Sequence, residues 1–218
     1  MESIKRKSLL YKTDVEYGDY TINYVLGCSH GCLYPCYAFN IKKRFGIVKD
    51  YDIWRNPKLV LNAIELLNNE LPKLKHKIKS VQLSFTTEPF MKGFSEVTKL
   101  TLQIINRLNQ DDIKVITLTK GVIPEETLST KKINEFGITL ISLDKSFKDK
   151  YEPFASDYEE RSLKKAHEAG YKTWVSIELY PTPNIIKQDL KTFWMQLSFV
   201  GKAAAKISMS IEATSALS

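Results

Sequence analysis

The sequence predicts an α/β fold, a partial barrel whose parallel sheet is covered by helices. Three observations predict it. Short apolar runs alternate with longer amphipathic ones through most of the 218 residues, the pattern of repeated strand–helix units. The strand candidates are continuous apolar runs, as in parallel sheets buried on both faces. No glycine-rich phosphate fingerprint follows any of them, so nucleotide folds of the Rossmann or P-loop kind have no support. In such a barrel, chemistry sits at the C-terminal ends of the strands.

Residues 22–26 (INYVL) predict the first strand, which runs into a cysteine-rich stretch. Residues 57–71 (PKLVLNAIELLNNEL) have apolar positions at helical spacing, with Asn56 as N-cap and Pro57 first in the helix. Residues 81–85 (VQLSF) predict a buried strand and 95–108 a helix. Residues 114–119 (KVITLT) predict a strand, then 124–136 a helix stopped by Gly137. Residues 138–143 (ITLISL) follow as a strand and 157–169 as a helix stopped by Gly170. Residues 173–178 (TWVSIE) predict a strand and 184–197 a helix, which completes five strand–helix units. Beyond Phe199 the chain is rich in small residues and weakly periodic. Residues 200–218 are therefore read as an atypical tail on a single domain of residues 1–199.

Hydrophobic residues make up 43% and charged residues 26%, as in ordinary soluble globular proteins. No apolar run reaches the roughly 18 residues of a membrane span. The first residues (MESIKRKSLLYKTD) lack the apolar core of a signal peptide. A cytoplasmic location with reduced thiols is expected. The net charge of +7 points toward a polyanionic partner such as nucleic acid. The basic runs at 5–7 (KRK), 42–44 (KKR) and 73–79 (KLKHKIK) show no interleaving of arginine with aromatic residues, so they read first as solvated surface.

All three cysteines, Cys28, Cys32 and Cys36, fall in GCSHGCLYPCYA at residues 27–38. On one helix the first and last would stand about 12 Å apart, so this stretch must be a loop wrapped around its ligand. Gly27, Gly31 and Pro35 all resist regular helix. Thiolates gathered on a loop select soft metals or iron–sulfur clusters. Four readings stay open on these residues. One is a zinc site of Cys28, His30, Cys32 and Cys36. Another is unrelated thiols, or one reactive cysteine assisted by His30. A third is a closed four-cysteine cluster, which lacks its last ligand. The fourth is a [4Fe-4S] cluster on three cysteines with one iron left open.

Gly27-Cys28-Ser29-His30-Gly31-Cys32-Leu33-Tyr34, followed by Cys36-Tyr37-Ala38, resembles the cluster loop of radical S-adenosylmethionine enzymes. The resemblance is to the spore photoproduct lyase and DNA repair photolyase-like branch. The usual spacing there is Cys-x3-Cys-x2-Cys; Pro35 adds one residue and makes it Cys-x3-Cys-x3-Cys. Downstream, Ser84-Phe85-Thr86-Thr87-Glu88-Pro89 resembles that branch's motif after the second strand. Thr119-Lys120 resembles the pair after the third, and Ser142 the serine of the fourth. Glu152-Pro153 with Arg161 and the run to Gly170, then Glu178 and residues 180–184 (YPTPN), resemble later landmarks.

The resemblance implies a partial (β/α)6-type, TIM-like barrel. Its C-terminal end would be incomplete, because residues 200–218 do not read like the closing strand. It implies a [4Fe-4S] cluster on Cys28, Cys32 and Cys36, with S-adenosylmethionine on the fourth iron. Reductive cleavage would give a 5′-deoxyadenosyl radical that takes a hydrogen atom from a substrate. Tyr34 or Tyr37 would lie near the adenine, and Thr86, Thr87 and Glu88 near the methionine amine. Lys120, Ser142 and Arg161 would surround the carboxylate and ribose, with Glu178 at the end of the fifth strand. No catalytic residue is assigned. Implied partners are an electron donor such as a flavodoxin or ferredoxin, and DNA as a lyase-like repair substrate. That lyase also uses a further cysteine to return a hydrogen atom, and this chain has none. Radical modification of a peptide, an RNA or a metabolite is an alternative. A non-catalytic zinc- or cluster-binding basic module that docks nucleic acid is another.

Overall fold

The structure is a computed structural model that describes residues 1–14, 18–33, 36–177, 181, 183–196 and 204–206. Expectations that fall on Tyr34, Pro35, Glu178 and most of the tail lie outside these residues.

The parallel barrel sheet forms as expected. Its strands are β3 (Tyr20–Ile22), β6 (Ser80–Leu83), β7 (Lys114–Thr119), β8 (Glu135–Thr139), β9 (Lys172–Ser176) and β10 (Ala204–Lys206), and each pairs in parallel with the next. A short strand, β2 (Leu10–Lys12), adds antiparallel to the β3 edge. A second sheet joins β1 (Glu2–Ile4), β5 (Lys58–Val60) and β4 (Val25–Leu26) in the order β1-β5-β4.

Helices cover the outer face. In α3 (Ala63–Leu74) the buried residues are Ala63, Leu67 and Leu71, spaced four apart. In α4 (Ser95–Gln110), Val97, Leu100, Ile104, Ile105 and Leu108 form the buried stripe. They pack with Val81, Leu83 and Val115 of the sheet in one core. Phe136, Ile138 and Val175 build a second core with Leu163 and Ala166. Ala166 belongs to α6 (Lys164–Glu168). At alternate positions of the same strands, Ile116 and Trp174 form a separate small cluster with Leu118.

Several expectations are corrected. The strand at 22–26 is two strands, because the chain leaves the large sheet at Asn23 and joins the small one at Val25. Residues 58–60 are strand rather than helix. They lie between β1 and β4, whose backbones take up their hydrogen bonds, so pairing overrides the helical spacing. The predicted helix at 124–136 is a 3₁₀ turn over Glu125–Ser129 followed by β8. Asn134 exchanges amide hydrogen bonds with Asn109 at 2.8 and 3.0 Å, and its oxygen also accepts from Val115 N–H. These bonds tie the segment to the start of β7. Gly137 is therefore no helix stop. It sits inside β8, where a Cβ would come within 2.6 Å of the Trp174 indole. The helices expected at 157–169 and 184–197 form only as α6 and as α7 (Leu190–Gln196). In the tail, β10 adds a sixth parallel strand beside β9, in a stretch whose weak periodicity predicts none.

Candidate functional site

The cysteine loop lies over the C-terminal end of the large sheet and is pinned at several points. At its start Gly27 has φ +94°, and a Cβ there would stand 2.6 Å from the Trp54 carbonyl oxygen. Cys28 N–H donates to that oxygen at 2.9 Å. Trp54 belongs to α2 (Tyr51–Arg55), which Asp50 caps by accepting from Ile53 N–H at 2.8 Å. Tyr51 Oη donates to the Cys32 carbonyl at 2.9 Å. Leu33 N–H donates to the Tyr151 carbonyl at 2.8 Å, and Phe154 N–H to that of His30 at 3.3 Å. Tyr151 ends α5 (Lys145–Tyr151), so the loop is also tied to the segment after β8. Cys36 is the N-cap of α1 (Tyr37–Arg44).

His30 is a scaffold residue. Its Nε2 accepts from Lys92 N–H at 3.1 Å, so Nδ1 carries the proton and faces Glu88 Oε2 at 3.4 Å. Burial, helped by Arg161 and Lys120, depresses its pKa to about 3 and keeps it neutral. Burial pushes all three thiols upward: Cys28 far above the ordinary value, Cys32 to about 12, and Cys36 in the same direction. Such thiols are not free nucleophiles. A ligand that binds thiolate would displace their protons.

The turn after β6 begins with strain, since Ser84 has φ +55°. Thr86 is committed to Asn23, whose Oδ1 accepts from both its N–H at 2.9 Å and its hydroxyl at 3.1 Å. The Thr87 hydroxyl is buried and has no hydrogen-bond partner within the protein. Glu88 is buried and accepts from the Thr119 hydroxyl and from Lys120 N–H at 3.0 Å. Burial outweighs these donors and raises its pKa to about 7.

Lys120 follows β7 and pairs with Glu152 Oε1. Glu152 Oε2 accepts from Arg161 Nη2 at 2.7 Å. Arg161 is fully buried ahead of α6, and it donates to the carbonyls of Ser156 at 3.0 Å and Thr139 at 3.1 Å. Lys120 Nζ also lies 3.9 Å from Cys32 Sγ. Burial opposes ionisation of Glu152, yet Lys120 and Arg161 hold its pKa near 2. Burial would likewise lower the Lys120 pKa, but Cys32 and Glu152 outweigh it and raise it.

The expected residues thus divide. Cys28, Cys32, Glu88, Lys120 and Arg161 lie together at the C-terminal strand ends. Ser142 is buried after β8 and accepts from Asp144 N–H at 3.1 Å, a turn contact. Tyr37 is half exposed at the start of α1, and its hydroxyl donates to the Phe85 carbonyl. Sequence reasoning left Glu152 out of the site although it is the hub of the ion network. The Glu152-Pro153 landmark was its visible signal. Asn23 was missed too; its signal was one polar residue interrupting an apolar run. Ser156 and Ser176, whose hydroxyls are buried without partners, gave none.

With this geometry in view, the fold is that of the radical S-adenosylmethionine enzymes. Spore photoproduct lyase with bound AdoMet and dinucleoside spore photoproduct superposes with a TM-score of 0.68 at 15% identity, covering 89% of this chain and 54% of that one. The radical S-adenosylmethionine methyltransferase TsrM from Kitasatospora setae superposes with a TM-score of 0.57 at 13% identity, covering 86% and 35%. An uncharacterized protein of Acidianus two-tailed virus is 25% identical over 184 residues, 79% of this chain and 59% of that protein. The chain therefore spans little more than half the length of its viral relative and of the lyase. No family model matches the sequence.

Among the described residues, no three Cys, His, Asp or Glu side chains converge where one metal ion would sit, and none of the helices is long and apolar enough to cross a membrane.

Proposed function

We propose that this chain is a radical S-adenosylmethionine enzyme, with a [4Fe-4S] cluster on Cys28, Cys32 and Cys36. The observation that carries the proposal is three half-buried thiols on one pinned loop, beside a largely buried network with two cations and one anion. Thiolate ligands are anionic and soft, so the donor set and the surplus positive charge both suit the cluster. A cluster takes one thiolate per iron and does not require the three sulfurs to meet at a point. The zinc alternative is disfavoured at its fourth ligand, because His30 Nε2 already accepts from Lys92 N–H and Nδ1, which makes no hydrogen bond, lies 3.4 Å from the Glu88 carboxylate.

When bound, cluster and S-adenosylmethionine supply a hydrogen-abstracting 5′-deoxyadenosyl radical. The chain's own part is to bind, orient and exclude water. The unpartnered Thr87 hydroxyl and the Glu88 carboxylate are assigned to the methionine amine. Lys120, Arg161 and Ser142 are assigned to the carboxylate and ribose, and Tyr37 or Tyr34 to the adenine. Glu178 completes the assigned set after β9. The electron donor is assigned as a flavodoxin or ferredoxin.

For the substrate we propose DNA, supported by the net charge of +7 and by the photoproduct bound in the lyase neighbour. A second reading, radical modification of a peptide, RNA or metabolite without hydrogen return, is favoured by the lack of any cysteine beyond these three.

Anaerobic reconstitution with iron and sulfide tests the class. The expected result is a loaded protein that releases 5′-deoxyadenosine with dithionite and S-adenosylmethionine. Stoichiometric zinc with no cofactor cleavage would sink the reading. Deuterated candidate substrates then separate the substrate classes by label arriving in 5′-deoxyadenosine.

A further inference from the structure

We propose that Lys120 sets the reduction potential of the cluster by holding a fixed positive charge beside Cys32. This rests on the cluster reading above. Lys120 Nζ lies 3.9 Å from Cys32 Sγ, at the long end of an N–H···S contact. It cannot drift away easily. Its ammonium is held by Glu152, whose other oxygen is held by Arg161 at 2.7 Å. Arg161 is fixed in turn by two backbone carbonyls, and the Lys120 N–H by Glu88 at 3.0 Å. The network carries two positive charges against one negative, and Glu152 and Arg161 are fully buried.

Reduction moves one electron from an external reductant, here dithionite, onto the cluster, with no bond made or broken. That electron adds negative charge next to the Lys120 ammonium in a poorly solvated site. The cation therefore favours the reduced state. Charge and donors near a ligating sulfur are a recognised lever on such potentials.

The test is a dithionite titration of reconstituted protein, followed by electron paramagnetic resonance, in the absence of S-adenosylmethionine. Wild type is compared with Lys120→Met and Glu152→Gln at measured iron and sulfide content. Lys120→Met is expected to shift the midpoint to more negative potential. Glu152→Gln removes the negative charge while keeping an amide oxygen that can accept from Lys120, and is expected to shift it to more positive potential. A merely structural network would lower cluster content and move both variants alike. An unchanged midpoint in loaded Lys120→Met, or shifts of the same sign, overturns the proposal. Should Lys120→Met load poorly, Lys120→Arg and Lys120→Gln replace it. Arg should keep the wild-type midpoint and Gln should lower it; equal values overturn the proposal. A wild type that takes up no iron and sulfide overturns the cluster reading and this proposal together, whereas a loaded wild type with an unshifted variant overturns this one alone.

Discussion

Two ion triads stand at opposite ends of the same strands. At the N-terminal end, Glu135 accepts from Lys114 at 2.8 Å and Lys172 at 3.0 Å. At the C-terminal end, Glu152 pairs with Lys120 and Arg161. Each triad has one carboxylate between two cations. Their solvation differs sharply. Lys114 and Lys172 are 35% and 62% exposed, so water carries their surplus charge. Lys120 is 21% exposed, and Arg161 and Glu152 are 0%. A surplus cation that water reaches poorly favours a nearby anion. On the proposed function, the barrel separates stability from chemistry along each strand. Composition alone does not separate the two triads; burial beside a thiol does.

The largest expected effect breaks this contrast at one end only. Cys28→Ala, Cys32→Ala or Cys36→Ala should each abolish cluster uptake, measured as iron and sulfide per chain after reconstitution. Glu135→Ala should load like wild type. A cysteine variant that still loads fully leaves the ligand set.

Removing the two carboxylates sharpens the contrast energetically. Glu152→Ala strands a buried arginine and lysine and should cost about 3–5 kcal/mol. Glu135→Ala leaves two lysines free to turn into solvent and should cost about 1 kcal/mol. Urea unfolding of cluster-free protein measures both. Equal losses would mean that the two ends are solvated alike.

How much of this was legible follows the same divide. The apolar runs that became β6, β7 and β9 were visible because burial of each strand is written in its own residues. The cysteine loop was visible because spacing and composition are local. Glu152 stands in a recognisable Glu-Pro pair, but nothing local places it in the site, since its role comes from Lys120 and Arg161, 32 and 9 positions away. Strand β5 was misread as helix because its partners lie in β1 and β4. Gly137 was misread as a stop because its reason is the Trp174 ring on the next strand. Periodicity reports on a segment, not on what the fold lays against it.

Acid–base behaviour gives a third test. The folded pKa of Glu88 is raised from 4.5 to about 7. Its contribution to stability is full below pH 4.5 and is lost as pH rises through 7, on the order of 3 kcal/mol. Glu135 is depressed by its lysines against the effect of burial. Its contribution is present above the ordinary carboxylate pKa and is lost as pH falls. Relative to Glu88→Gln, wild type should therefore weaken between about pH 4.5 and 7. Relative to Glu135→Gln, it should strengthen as pH rises through the ordinary carboxylate range. Taking each difference against its own variant cancels the His30 titration, which both proteins share. Parallel curves for the two pairs would deny that the ends differ.

The smallest expected effect concerns the loop that closes the C-terminal end. Gly31 and Gly46 have nearly the same backbone, φ +64° and φ +65°. Alanine at either meets the left-handed penalty, about 1–2 kcal/mol. At Gly46 nothing lies within 4 Å of the added Cβ. At Gly31 the Cβ would stand 2.7 Å from the Phe154 ring, on which the Arg55 guanidinium stacks at 4.2 Å. The ring is half exposed and free to give on one side only, so Gly31→Ala should cost about 1 kcal/mol more than Gly46→Ala. The decisive readout is cluster uptake rather than stability. Phe154 N–H holds the His30 carbonyl, so displacing the ring pulls on the loop between Cys28 and Cys32. Gly31→Ala should load slowly or incompletely and Gly46→Ala normally. If both load alike, the contact at Phe154 packs the loop without setting its ligand geometry, and the C-terminal end owes its special character to the ion network alone.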